Sequence, residues 1–206
     1  MVDDIKLLDI TKFDYKPYVK GIDTFLRIAG MYDNLEESLQ NQSKQFDEEI
    51  EELYQAIMSK NTAEVLDGIG DCLFVQASII LLGVHLQRKI TPSKAFFTLQ
   101  GLTYLAGSSQ EVASYCLDAV VESNLSKFDK SIDEASATVA HYASLNVTTE
   151  AVFDTESNLW FVKVTEDCTD TNGKTYHKGK ILKSTTNYHA PDFSLALKGP
   201  KNDNCA

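Results

Sequence analysis

Residues Phe46–Gln76 read FDEEIEELYQAIMSKNTAEVLDGIGDCLFVQ, and the fold turns on this stretch. It carries two helical segments, each with an apolar face and a separate stripe of carboxylates, joined by the turn Ser59-Lys60-Asn61. Glu48, Glu49 and Glu52 stand at spacings of three and four, so one helix face presents all three. Glu64, Asp67 and Asp71 repeat that spacing in the second segment. So short a connection predicts that the two helices fold back antiparallel. With the stripes facing each other, their oxygens make a ligand set suited to Mg²⁺ or Mn²⁺.

The six carboxylates are not equally informative. Acidic runs near a helix start ordinarily form solvated surface, and Glu64, close to a helix N-terminus, is accounted for by the macrodipole alone. Asp67 and Asp71 sit deeper in a helix whose flanks Leu66, Ile69, Leu73 and Phe74 read as buried, and a buried carboxylate needs a partner or a metal. Gly68 and Gly70 stand beside them in mid-helix at a cost of about 1 kcal/mol each, which signals close approach by another helix or a ligand. The same heptad line runs on through Ser78 to His85, read as a core or helix-end histidine. A di-iron carboxylate site is disfavoured, because it wants Glu-x-x-His pairs and the chain has none.

The chain has 206 residues, 43% apolar and 24% charged, which suits one ordinary globular domain with at most a small addition. Its net charge of −11 argues against a nucleic-acid partner, which needs a clustered basic face. It also repels phosphates, unless bound cations reverse the local sign. Cys72, Cys116, Cys168 and Cys205 are scattered without a C-x-x-C pair, and Cys72 and Cys116 read as buried free thiols. The start MVDDIKLLDI lacks the features of a signal peptide. The apolar run Cys72–Leu86 is broken by Gln76, Ser78, Gly83 and His85 and reads as a core helix rather than a membrane span. No membrane association and a cytoplasmic setting are the expectation.

Residues 1–15 read as an extended lead-in. Val19–Ala29 predict a first helix after Pro17 and before Gly30, and Leu35–Met58 a second. A third, capped by Asn61 or Thr62, reaches about His85. Pro92 opens a fourth over Ser93–Leu105; Ser108 or Ser109 caps a fifth to Leu125; Ser131 with Glu134 opens a sixth through Ala143. The pattern is mainly α, an antiparallel helical bundle. After Asn146 the texture turns to strands: Glu150–Asp154, Asn158–Thr165, Thr175–Tyr176 and Ile181–Ser184, with DTNGK (170–174) as a turn. They predict a small antiparallel β appendage of three or four strands. The expected division is a helical domain over 1–147, the appendage over 148–197 and a disordered tail over 198–206.

The order E48-E49-x-x-E52, then E64-x-x-D67-x-x-x-D71, resembles the signature of the all-α nucleotide pyrophosphohydrolases of the MazG-like group, which includes phosphoribosyl-ATP pyrophosphohydrolases and dimeric dUTPases. Phage-encoded members look most similar, with an E-x-x-D-x-x-x-D form followed by an apolar run such as LFV here. The resemblance extends to Asn124-Leu125-Ser126-Lys127-Phe128 and to Gly179–Ser184 and Tyr188…Phe193, so it spans about Leu39 to Phe193. The chain departs from relatives with a plain E-x-x-D ending at Asp71, which carry a Glu where Gly68 stands. No base-reading polar residue is identifiable in Asp23–Met31.

The resemblance implies an all-α NTP pyrophosphatase bundle that cleaves nucleoside triphosphates at the α-phosphorus, releasing a nucleoside monophosphate and pyrophosphate. Glu49, Glu52, Asp67 and Asp71 are the expected Mg²⁺ (or Mn²⁺) ligands, with Glu64 as a further contributor. Glu48 or Glu49 is the expected base for the attacking water. Asn124 and Lys127 are expected to steady the phosphates, whereas Lys178, Lys180 and Lys183 read as a solvated edge guard. Trp160 and Phe161 read as packing residues. Two other readings compete: a structural helical oligomer, and a nucleotide-binding protein without turnover. The third helix is apolar nearly all round from Leu73 to Val84, which predicts a homodimer or homotetramer. A phage-encoded protein acting in the host cytoplasm fits the resemblance.

Overall fold

The computed structural model describes residues 8–90 and 93–198. The helix start assigned to Pro92, the first residues of the lead-in, Cys205 and the tail beyond 198 lie outside them. The fold is mainly α, with seven α-helices among the described residues: α1 Val19–Ile28, α2 Leu35–Ser59, α3 Thr62–His85, α4 Lys94–Leu105, α5 Gln110–Leu125, α6 Ile132–Ser144 and α7 Ser194–Lys198. Strands β1 Thr149–Asp154, β2 Leu159–Val164, β3 Cys168–Thr169 and β4 Thr175–Tyr176 lie between α6 and α7. The chain forms two compact units: Met1–Asp23 with Tyr32–Val121 and Pro191–Ala206, and Thr24–Met31 with Glu122–Ala190.

The first unit is built on the α2–α3 hairpin. The Asn34 side chain caps α2, and Glu36 and Glu37 lie in its first turn, where negative charge suits the helix dipole. Lys60 closes α2 in the left-handed conformation (φ 56°), and Asn61 caps α3 at once. The bonds from Lys60 N to Ile57 O and from Asn61 N to Ala56 O complete this two-residue reversal. Phe46, Ile50, Leu53 and Ala56 form the buried edge of α2. Of the α3 window that by length and composition could cross a membrane, 67% is buried inside the protein, as in a core helix.

Glycine explains how closely the helices pack. A Cβ on Gly68 would stand 3.1 Å from Leu53 Cβ on α2, and one on Gly70 would stand 2.7 Å from the Cys116 carbonyl oxygen on α5. Positions two apart on a helix point to nearly opposite sides, so α3 is wedged between α2 and α5. The lead-in contains a one-turn 3₁₀ helix, Ile10–Lys12, and is stitched to α4: Ile10 N donates to Gln100 Oε1 (2.7 Å), and Gln100 Nε2 donates to Leu8 O (2.6 Å).

In the second unit, Ala135, Val147, Val162, Val164, Tyr176 and Leu182 form one core and Ile28, Phe128 and Phe161 another, so Phe161 packs as the sequence implied. The expected sheet of three or four strands is instead two separate ladders. β1 pairs antiparallel with β2 from Thr149↔Val164 to Asp154↔Leu159, and β3 pairs with β4. Ile181–Ser184 is not a strand. It touches β2 by a single bridge at Lys163↔Ile181, because Ser184 N turns away to donate to Lys127 O. The DTNGK turn holds: Asp170 Oδ1 accepts from Asn172 N (2.8 Å) and Lys174 N (2.9 Å), with Gly173 at φ 84°.

Candidate functional site

Around α2, Phe46, Ile50 and Leu53 point at α3, which leaves Glu49 and Glu52 on one flank and Ser43 and Asp47 on the other. Around α3, Asp67 and Asp71 are four apart and share a face. Glu49, Asp67 and Asp71 are half-buried, while Glu48, Glu52 and Glu64 are exposed. Gln45 donates to Glu49 Oε1 at 3.3 Å. Among the described residues, no Lys, Arg or His lies within ion-pair distance of Glu48, Glu49, Glu52, Glu64 or Asp67.

The electrostatics show which carboxylates share a neighbourhood. Burial raises the Glu49 carboxyl above its ordinary range, and the charges of Glu52, Asp67 and Glu48 raise it further against the lowering effect of Gln45. Asp67 is raised by burial, then by Glu64 and Glu52. The fully buried Cys72 thiol is pushed well up by burial and then by the charges of Glu49, Asp71 and Glu52, so carboxylates of both helices act on it. Cys116 is pushed up to about 12 by burial and by Asp67. Glu49 and Glu52 of α2 and Asp67 and Asp71 of α3 therefore lie on one side of the hairpin, with Glu64 coupled through Asp67 and Glu48 through Glu49.

They do not close into a coordination shell. Among the described residues, no three His, Cys, Asp or Glu side chains are placed to hold a metal ion. The donor chemistry nevertheless fits a hard divalent cation: every group is a carboxylate, and two are half-buried, raised by neighbouring carboxylates and without a basic partner among the described residues. The exposed Glu52 and Glu48 have the rotamer freedom to swing inward.

Asn124 and Lys127 belong to the second unit, where Lys127 Nζ donates to Asn124 Oδ1 and lies 5.3 Å from the Phe25 ring centroid. Lys178, Lys180 and Lys183 are exposed, Lys183 against Tyr188. His85 is an exposed helix-end residue, its ring 4.2 Å from that of Tyr32 and its Nε2 3.9 Å from Asp23 Oδ1. Ser78 is buried and donates to Phe74 O. A cavity of about 430 Å³, lined by Leu39, Phe46, Ile79, Ile80, Ile90 and Phe96, opens on the Ser43–Asp47 flank of α2, away from Glu49 and Glu52.

One buried acid escaped the sequence reading. Asp129 is fully buried; its Oδ1 accepts from Ser184 and from Thr138 (3.3 Å), while its Oδ2 has no hydrogen-bond partner among the described residues. Burial raises its carboxyl, and its two hydroxyl bonds oppose that shift. Its partners lie far along the chain, and nothing local in SKFDKS announces them. Compared with protein-family models, with curated proteins and with solved structures, the chain has no significant match.

Proposed function

We propose that this chain is a divalent-cation-dependent nucleoside triphosphate pyrophosphohydrolase of the all-α, MazG-like kind, built on an antiparallel helical bundle. One observation carries the reading: the α2–α3 hairpin gathers Glu49, Glu52, Asp67 and Asp71 on one side, with Glu49 and Asp67 held above their ordinary range by burial and then by the charges of neighbouring carboxylates. A fold gains nothing from half-buried like charges unless something cationic joins them. Glu49, Glu52, Asp67 and Asp71 would hold Mg²⁺ or Mn²⁺, with Glu64 beside Asp67. When bound, the cation offsets the acidic field and stabilises charge on the triphosphate oxygens.

The chain's own groups supply the proton chemistry. Glu48 or Glu49 takes a proton from water as the water oxygen bonds to the α-phosphorus. The bridging α–β oxygen bond then breaks, and pyrophosphate leaves with the electron pair. A carboxylate with a raised pKa is the better base for this step, which favours Glu49 on electrostatic grounds. The resemblance alone gives Asn124 and Lys127 to the phosphates.

The test is incubation with a panel of NTPs and dNTPs plus Mg²⁺, with the products resolved by chromatography. Monophosphate plus pyrophosphate is the expected outcome, and Asp71→Asn should abolish it with the fold intact. Binding without turnover would convert the reading to a nucleotide-binding protein, and no binding at all would leave a structural helical module.

A further inference from the structure

The end of α3 builds one end of the cavity beside α2. Gln87 takes the left-handed conformation (φ 54°), and Arg88 N donates to Gly83 O (2.9 Å), the bond pattern that stops a helix and turns its chain. Ile90 can lie on α3 because position 83 is glycine, where a Cβ would collide with it. Arg88 and Lys89 are thereby fixed at the rim, and Arg88 bonds Glu36, one turn before Leu39, at 2.7 and 2.8 Å. At the far end Asp47 lies beside Ser93 and Ala95. Leu39 and Asp47 are eight residues apart on α2, so the cavity is about 12 Å long.

Two polar groups interrupt the apolar wall. Gln76 is only 6% exposed, and the Tyr15 hydroxyl takes its Oε1 (2.7 Å). Its N–H2, without a hydrogen-bond partner among the described residues, is left for the cavity it lines. The Leu53–Gly68 contact sets the register of the hairpin and puts Gln76 level with Phe46, toward the Asp47 end. Lys89, at the opposite end, makes no ion pair among the described residues, whereas Glu36 neutralises Arg88. Water is a poor occupant, because a held water needs about two to four polar partners and six large apolar side chains line the space. At about 430 Å³ the cavity is the size of a small-molecule site.

We propose that it binds a monoanionic amphiphile, a carboxylate of about ten carbons that spans its length of about 12 Å. The head pairs with Lys89, the chain fills the apolar walls, and a hydroxyl or keto oxygen at the far end accepts from the Gln76 N–H2. Charge decides the head group. Glu36 beside the rim and a net charge of −11 repel a phosphate dianion, and one negative charge is what Lys89 can match. Asp47 sets the direction, since it repels the head from its own end. The site lies on the flank of α2 away from Glu49 and Glu52, so the inference is independent of the hydrolase reading.

Titration calorimetry of the full chain with 10-hydroxydecanoate, decanoate, decanol and decyltrimethylammonium tests it. Affinity should fall in that order, with the hydroxylated acid about fivefold ahead of decanoate. From hexanoate to decanoate it should rise about fourfold per methylene. Lys89→Ala should bring decanoate level with decanol. Ser43→Trp, at an exposed position on the cavity wall, should block every probe with the circular dichroism unchanged. Methyl NMR of the wild-type chain locates the probe without any variant, and the shifts should centre on Ile79, Ile80 and Ile90. No carboxylate binding below the millimolar range overturns the proposal. So does a cationic probe that binds as tightly as decanoate, an affinity indifferent to Lys89→Ala or Ser43→Trp, or methyl shifts away from those isoleucines. Equal affinity of the two ten-carbon acids overturns the part given to Gln76. A Ser43→Trp chain that changes oligomeric state, with no probe bound by wild type, would give the cavity to a protein partner instead.

Discussion

Replacing Gly70 by alanine tests whether α3 is wedged as described. In an exposed helix interior the change would stabilise by about 1 kcal/mol, because alanine loses less backbone freedom on folding. At Gly70 the new Cβ meets Val120 Cγ2 at 2.6 Å and the Cys116 carbonyl oxygen at 2.7 Å. Val120 can rotate, but a helix carbonyl cannot, so reaching an ordinary 3.4 Å separation pushes α3 and α5 about 0.7 Å apart. A gap of that size forfeits a quarter to a half of the dispersion energy along the seam, and overpacking of this kind costs about 1–3 kcal/mol. With a backbone atom as the obstacle the cost falls near the upper end, leaving a net loss of about 2 kcal/mol after the propensity gain. Gly68 supplies the control: its Cβ would meet Leu53 at 3.1–3.3 Å, a few tenths of an ångström from comfort, so Gly68→Ala should fall within about 0.5 kcal/mol of wild type. Urea unfolding of the three proteins, compared at equal m-values, reads both numbers. A Gly70→Ala protein as stable as wild type, or a Gly68→Ala protein the weaker of the two, refutes the packing argument.

Asp67→Asn should raise the melting temperature at pH 7. Burial, Glu64 and Glu52 hold the folded Asp67 carboxyl above its unfolded value of 3.8, so the folded state binds that proton more tightly. Its stability contribution is therefore complete below 3.8 and lost as pH rises through the folded pKa. The mutant and wild-type curves should converge in acid, and a mutant no more stable at pH 7 would count against the assignment. Mg²⁺ should stabilise wild type by about 2.7 kcal/mol at a hundredfold excess over Kd, and Asp67→Asn much less; equal Mg²⁺ shifts in a thermal scan would remove Asp67 from the ligand set. Asp129→Ala should cost about 1–3 kcal/mol by orphaning the Ser184 and Thr138 hydroxyls, whereas Asp129→Asn keeps an acceptor, drops the buried charge and should cost less. The opposite order in urea titrations would falsify that account.

Local signals made the helices legible. Asn34, Asn61, Ser93 and Ser131 each cap the helix that follows them, and Gly30 and Gly107 adopt the positive φ expected where a helix stops. The β region was less legible because its pairing is neither long nor continuous. Cys168–Thr169 is too short to show alternation, and Ile181–Ser184 has strand composition but gives its last amide to Lys127. α7, five residues long, is too short to show a period. The boundary between the compact units falls inside α1 and α5, where helical periodicity runs on unbroken. Spacing placed the carboxylates on facing helices, but it could not give their separations. It made Cys72 legible as a buried thiol but could not show that charges of both helices act on it, since its sequence context is that of any core position.

The segment Asp67-Gly68-Ile69-Gly70-Asp71 separates what packing explains from what it does not. Both glycines have structural reasons, Leu53 on one side and the α5 backbone on the other. Ile69 is core. Asp67 has no such reason: it is half-buried, raised by neighbours of its own sign, and without a basic group in ion-pair reach among the described residues. An asparagine would meet the same polar surroundings without the charge. Ser78, seven residues beyond Asp71, shows how this helix treats a polar group that is merely structural, turning its hydroxyl back onto the Phe74 carbonyl. On the proposed reading, a charge kept where the fold is better without it serves a cation or a cation-bound ligand. Stability and function should therefore move in opposite directions at Asp67, and a neutral variant that is more stable and equally active would break that link.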